Sequence, residues 1–247
     1  MVCLHGVNAH AGRFASLAAR LGDAYRVIAV DLRGHGRSTW EPPWDLGTHL
    51  DDLHDTLRAL ELERADWMGH SFGGRLLLEL IADRPEVVDR AVLLDPAVWV
   101  PPHVALARAE AARHERTYAS PEEAVDRRYA ESALHDTPRE VVEEEAAVHL
   151  EQGEDGRWRY RYCQAAVVTA YSEMSTQPPP FTAVSAPTLL VLGRDSYIPY
   201  DHLLDAHRAA LGDRLEPVTV DGVHTLLWDA FDETAGAIER FLSRPPR

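Results

Sequence analysis

The chain has 247 residues, 45% hydrophobic and 26% charged, a composition that excludes a disordered chain and a length that fits one large domain or two small ones, an α/β architecture reaching it undivided. Its 25 basic and 40 acidic residues leave a net charge of −15, so phosphate backbones and anionic lipid are repelled and neither nucleic acid nor membrane is an expected partner. Every basic residue is arginine, which excludes a Schiff-base lysine, a phosphate-loop lysine and a lysine general base.

Short apolar runs alternate with helical periodicity from the first residue. Met1–Leu4 reads as a strand, Gly12–Leu21 as a helix and Arg26–Val30 as a strand. Leu46, Leu50, Leu53, Leu57 and Leu60 form the stripe of an amphipathic helix. Ala65–Met68 (strand), Gly73–Ala82 (helix) and Ala91–Leu94 (strand) follow. After a long gap come Thr188–Leu192 (strand), His202–Leu211 (helix), Leu215–Val220 (strand) and Thr225–Leu242 (helix). This alternation predicts a doubly wound, mostly parallel α/β sheet of about six strands. Between Pro101 and Phe181 there is only helical pattern, charge and proline breakers, so residues 101–181 are expected to form a helical cap inserted into a core of residues 1–100 and 182–247. Within it, Glu143-Glu144-Glu145 reads as a solvated helix face.

Cys3 and Cys163 lack CxxC or zinc-ligand spacing and read as free thiols in a reducing compartment. No basic leader precedes the first strand, and no apolar run approaches the ~20 residues that span a bilayer, so a cytoplasmic location is expected.

The chemistry centres on Gly69-His70-Ser71-Phe72-Gly73-Gly74, set directly between a strand and a helix. A sharp strand-to-helix turn of this kind lifts a serine hydroxyl clear of the sheet and holds it at a helix N-terminus, where developing negative charge is favoured. A serine needs a base, and His224 follows the strand Leu215–Val220 in Gly222-Val223-His224. Asp195, in Gly193-Arg194-Asp195 one strand earlier, is the expected acid. Asp95, in Leu94-Asp95-Pro96, is its rival, with a turn cap before Pro96 as its other reading. The amides of Val7 and Phe72 are the candidate oxyanion donors, with His5 beside Val7 as a structural hydrogen-bonder.

These pieces resemble the α/β-hydrolase fold family. Leu4-His5-Gly6, Asp31-Leu32-Arg33-Gly34-His35-Gly36-Arg37-Ser38, the Ser71 motif, Gly193-Arg194-Asp195 and Gly222-Val223-His224 occur in the family's order. The resemblance implies a Ser-His-Asp catalytic set and, because the nucleophile position is serine, excludes the dehalogenase and epoxide-hydrolase branches. Family members usually begin with two further strands; here Arg26–Val30 is therefore expected at an open sheet edge that pairs with a second chain as a homo-oligomer or is otherwise covered. Trp99, Trp158, Tyr162 and Trp228 are candidate substrate contacts, pointing to an apolar ester or lactone. The expected function is ester or lactone hydrolysis through an acyl-enzyme, with no metal or organic cofactor implied. A thioesterase, C–C hydrolase or lyase using the same triad, and a low-turnover ligand receptor, are the alternatives.

Overall fold

A strand followed by a helix and a parallel strand must return each time to the same end of the sheet. The computed structural model, which describes residues 1–132, 134 and 137–244, is built this way. The first half runs β1 (Val2–Leu4), α1 (Ala15–Leu21), β2 (Ile28–Val30), α2 (Leu46–Ala59), β3 (Ala65–His70), α3 (Phe72–Asp83) and β4 (Val88–Leu94). An insertion follows with α4 (Pro102–Ala112), α5 (Pro121–Glu131), α6 (Arg139–His149), β5 (Leu150–Gln152), β6 (Trp158–Tyr160) and α7 (Gln164–Glu173). The chain then returns through β7 (Thr188–Gly193), α8 (Asp201–Leu211), β8 (Leu215–Val220), α9 (Leu226–Asp229) and α10 (Phe231–Leu242).

Six strands form one sheet in the order β2-β1-β3-β4-β7-β8, every neighbouring pair parallel. From β1 the chain first moves outward to β2 and then returns to pair β3 on the other side. The crevice for a ligand therefore opens at the C-terminal ends of β1 and β3, where the winding direction changes. Alternation along the strands divides the core in two. Val2, Leu4 and Trp67 face a layer that includes Leu53, Leu57, Leu76 and Leu211 of α2, α3 and α8. Cys3 and Met68 face Leu17, Leu21, Ile238 and Phe241 of α1 and α10. Burial there pushes the Cys3 thiol up to about 12, so it is an inert core residue.

The turn between β3 and α3 is pressed against β1. A Cβ at Gly69 would lie 2.3 Å from the Gly73 carbonyl oxygen, and one at Gly73 would lie 2.2 Å from that of Leu4. Neither position admits a side chain without moving backbone.

The segment 101–181 is not purely helical, contrary to what its sequence pattern suggests. It contains an antiparallel pair, β5 with β6, in register Leu150↔Tyr160 to Gln152↔Trp158. Three-residue strands carrying Glu151, Gln152 and Arg159 are too short and too polar for alternation to register. Tyr118, Val125, Val142, Leu150 and Tyr160 form a third core, to which the main domain contributes Trp228. The terminal helix differs as well: it breaks at Ala230 (φ −141°, ψ 51°) into α9 and α10.

Arg75 of α3 is fully buried and clasps both ends of the insertion. Its guanidinium donates to the Val98 carbonyl at 2.7 Å, to Thr176 Oγ1 at 3.0 Å and to the Gln177 carbonyl at 3.2 Å. Its Nε pairs with Glu79 at 2.8 Å.

Among the described residues, six histidines are buried deeply enough to stay neutral. Burial brings His10, His35, His49 and His207 down to about 4 and holds His5 and His70 further below the usual imidazole range. In the unfolded chain the same rings titrate near ~6.5, so the unfolded state takes up protons first. Stability is thus complete above that pH and falls below it, by up to about 1.4 kcal/mol per pH unit for each such histidine. Urea midpoints are expected to be level from pH 8 to 7 and to drop steeply between pH 6.5 and 4. A midpoint that stays level down to pH 5 would contradict this.

Candidate active site

β3 ends at His70 and α3 begins at Phe72, which leaves Ser71 alone to make the turn. It does so at φ 53°, ψ −116°, in the region that non-glycine residues rarely enter. Its backbone is fully engaged: the amide donates to the Leu94 carbonyl at 3.1 Å, and its carbonyl accepts from the Gly74 and Ala97 amides at 2.9 and 3.0 Å. Ser71 lines a cavity of about 570 Å³ together with Val7 and His224. Phe72 is buried, and as the first residue of α3 its N–H has no intrahelical acceptor. Val7 sits in a tight turn closed by the Ala9 amide on the Gly6 carbonyl at 3.3 Å, with Asn8 at φ 61°. His5 braces that turn. Its Nε2 accepts from the Leu32 amide at 3.0 Å, so Nδ1 carries the proton and donates to the Gly6 carbonyl at 2.8 Å.

His224 turns its Nδ1 to Asp95 Oδ2 at 2.6 Å. The expectation that Asp195 would orient this histidine is corrected by the geometry. The Ser196 amide closes a turn on the Gly193 carbonyl at 3.3 Å. Arg194 and Asp195 occupy its corner and are exposed. The residue this loop sends inward is Ser196, whose hydroxyl donates to Asp95 Oδ2 at 2.5 Å, while the Gly193 amide approaches Asp95 Oδ1 at 3.3 Å. Asp95 itself is 1% exposed and sits at φ 41°, a left-handed conformation that aspartate tolerates better than most residues.

His70 was not singled out as a site residue by sequence, yet it supports the histidine loop. It is buried, its ring packs 4.7 Å from that of His224, and its Nε2 donates to the His224 carbonyl at 2.9 Å. Its only sequence signal is its place between Gly69 and Ser71. Of the aromatic residues expected to touch substrate, Tyr162 and Trp228 line the cavity. Trp99 and Trp158 do not. Trp99 packs edge-on to His202, with ring centroids 6.2 Å apart. Trp158 pairs its backbone with Tyr118 and lines a separate cleft between α5 and α6.

A sequence model of the alpha/beta hydrolase family matches residues 1–237. The chain belongs to that family. It is 32% identical over 227 residues to Lipase LipV of Mycobacterium tuberculosis, covering 91% of this chain and 85% of the relative. It is 29% identical over 222 residues to the 2-(acetamidomethylene)succinate hydrolase of Mesorhizobium japonicum, covering 88% of this chain and 76% of that one. The crystal structure of E-2-(acetamidomethylene)succinate hydrolase superposes with a TM-score of 0.87 at 25% identity, covering 99% of this chain and 91% of the other. Among the described residues of this alpha/beta hydrolase, no helix is long and apolar enough to cross a membrane.

One buried carboxylate joins the hydrolase core to its insertion. Glu145 does not belong to a solvated face: it is 6% exposed, unlike its neighbours Glu143 and Glu144. It takes Arg13 Nε at 3.3 Å, Arg128 Nη1 at 2.5 Å and His149 Nδ1 at 3.2 Å, with His10 Nε2 at 3.8 Å. Burial alone would raise its pKa, but Arg128, Arg13 and the His149 hydrogen bond outweigh that and hold the carboxyl well below the usual glutamate range. His10, Glu145 and His149 lie close enough to share a metal ion. Two guanidinium groups already neutralise the carboxylate, however, and a divalent cation would be set against both of them.

Removing the carboxylate leaves two desolvated guanidinium groups without compensation. Glu145→Gln is expected to cost about 3 kcal/mol of stability, and Glu144→Gln less than about 0.5 kcal/mol, read from urea unfolding at pH 7.5. Equal effects at the two positions would show that the cluster contributes no stability.

Proposed function

We propose that this hydrolase cleaves a carboxylic ester or lactone through a covalent acyl-enzyme on Ser71. The observation that carries the reading is the Asp95–His224 hydrogen bond of 2.6 Å, on a histidine that shares one cavity with a serine held in a left-handed turn. In this reading His224 Nε2 takes the Ser71 proton as Oγ attacks the substrate carbonyl carbon. Asp95 keeps the ring in the tautomer with the proton on Nδ1 and stabilises the imidazolium that forms.

The carbonyl electrons move onto oxygen, where the Val7 and Phe72 amides and the N-terminus of α3 stabilise the negative charge. Collapse re-forms the carbonyl, breaks the bond to the leaving oxygen and returns the proton from His224 to that oxygen. A water molecule, deprotonated by His224, then repeats the sequence on the acyl-serine and releases the acid. The relatives support hydrolysis: one is named a lipase and another a hydrolase of 2-(acetamidomethylene)succinate, names that differ on the substrate.

Ser71→Ala is expected to lower kcat by about 10⁴-fold on short p-nitrophenyl esters. A fluorophosphonate probe should modify the peptide that carries Ser71. Labelling at another serine would sink the assignment.

The two aspartates are separated by a second pair of variants. Asp95→Asn is expected to reduce kcat by about 10³-fold or more, because His224 loses its orienting acceptor, whereas exposed Asp195→Asn should stay within about threefold of wild type. A larger loss at Asp195 than at Asp95 would reverse the choice of acid.

A further inference from the structure

The cavity above Ser71 is not the apolar chamber its aromatic residues suggest. Four arginines line it: Arg13 from the loop after β1, Arg108 from α4, Arg116 from the α4–α5 connection and Arg128 from α5. Among the described residues the only carboxylate in the lining is Glu131, which pairs with Arg116 and also lies 3.6 Å from Arg127. Arg13 and Arg128 share the single carboxylate of Glu145 behind the wall. No carboxylate of the described residues lies within 4.0 Å of Arg108. Each acidic group on this wall is thus divided between two guanidinium groups, and Arg108 adds a further positive charge, in a protein whose net charge is −15.

Arg13 is the best placed to hold a ligand. Its guanidinium carbon lies over the Trp228 ring, 3.8 Å from the centroid, a contact that holds the group in place. Its Nε is occupied by Glu145, while among the described residues no acceptor takes a hydrogen bond from its two terminal amino groups. A guanidinium held this way presents an in-plane pair of donors that matches a carboxylate. Burial brings Arg13 down to about 10, the mark of a desolvated cation that Glu145 compensates incompletely.

We propose that the substrate of this site is an anion, an ester or lactone whose acyl or leaving group carries a carboxylate bound by Arg13. This rests on the hydrolase reading above and names its substrate class. A charge-assisted, bidentate contact of this kind in a walled cavity corresponds to at least about a tenfold preference over a neutral ester of equal length.

The test compares the p-nitrophenyl monoester of glutarate with p-nitrophenyl hexanoate, as a ratio of kcat/KM values at low ionic strength. Wild type is expected to favour the glutarate ester at least tenfold, with the ratio falling toward one in Arg13→Gln. Arg108→Gln, at an exposed position, should lower the ratio by a smaller factor. Calorimetric binding of glutarate to Ser71→Ala, lost in the Ser71→Ala/Arg13→Gln double variant, gives a readout independent of turnover. A wild-type ratio of one or less, with Ser71 still labelled by the fluorophosphonate, overturns the anion site and leaves the hydrolase reading standing. A ratio unchanged in both arginine variants also overturns it. Failure to hydrolyse either ester, with Ser71 unlabelled, overturns the hydrolase reading and this one with it.

Discussion

The Asp95 carboxylate is almost completely shielded from solvent and accepts from His224 Nδ1, Ser196 Oγ and the Gly193 amide. Those donors come from the end of β7 and the loops after β7 and β8, while Asp95 follows β4. A buried carboxylate without hydrogen bonds is costly enough that all three loops must hold their places for the fold to tolerate it. The adjacency of β4, β7 and β8 in the sheet makes this convergence geometrically short. His70 adds a further tie, because its bond to the His224 carbonyl links the serine turn to the histidine loop. The position of the proposed base is therefore a by-product of solvating one charge without water.

Ser71 and His224, the serine and histidine of the proposed site, each carry a local signature in the sequence. The serine lies between glycines whose Cβ atoms would strike backbone, and the histidine stands just past a strand end. The carboxylate that His224 meets carries no such signature. Asp95 and Asp195 both follow parallel strands at the same edge of the sheet. What separates them is which residues of the 193–196 turn face inward and the positive φ of Asp95, and neither is written in residue type. The six-strand sheet was readable from alternation, whereas the β5–β6 pair was not, since three residues give a period-two pattern no room to repeat. Glu145 illustrates a different blindness. In a run of three glutamates on one helix, its burial depends on Arg13 lying across from it, 132 residues away in the chain.

That glutamate also explains how the insertion and the sheet come to share one wall. Arg13 belongs to the loop after β1, and Arg128 and Glu145 belong to the insertion, yet all three meet beside Trp228 of α9. The third apolar core completes the seam, because Trp228 packs into it from the main domain. Charge and apolar contact therefore act at the same place, and the cavity is lined by both units together.

Arg75 fixes the two ends of the insertion against the helix that follows Ser71. One guanidinium, rooted in the helix that Ser71 begins, grips Val98 on the outgoing strand of chain and Thr176 and Gln177 on the returning one. The Val100 amide bonds the Met174 carbonyl at 2.8 Å just beyond, closing the two roots against each other. Beyond these roots α5, α6 and the short hairpin rest on the seam around Glu145, so the insertion is tied to the sheet domain by guanidinium groups both at its ends and along its middle.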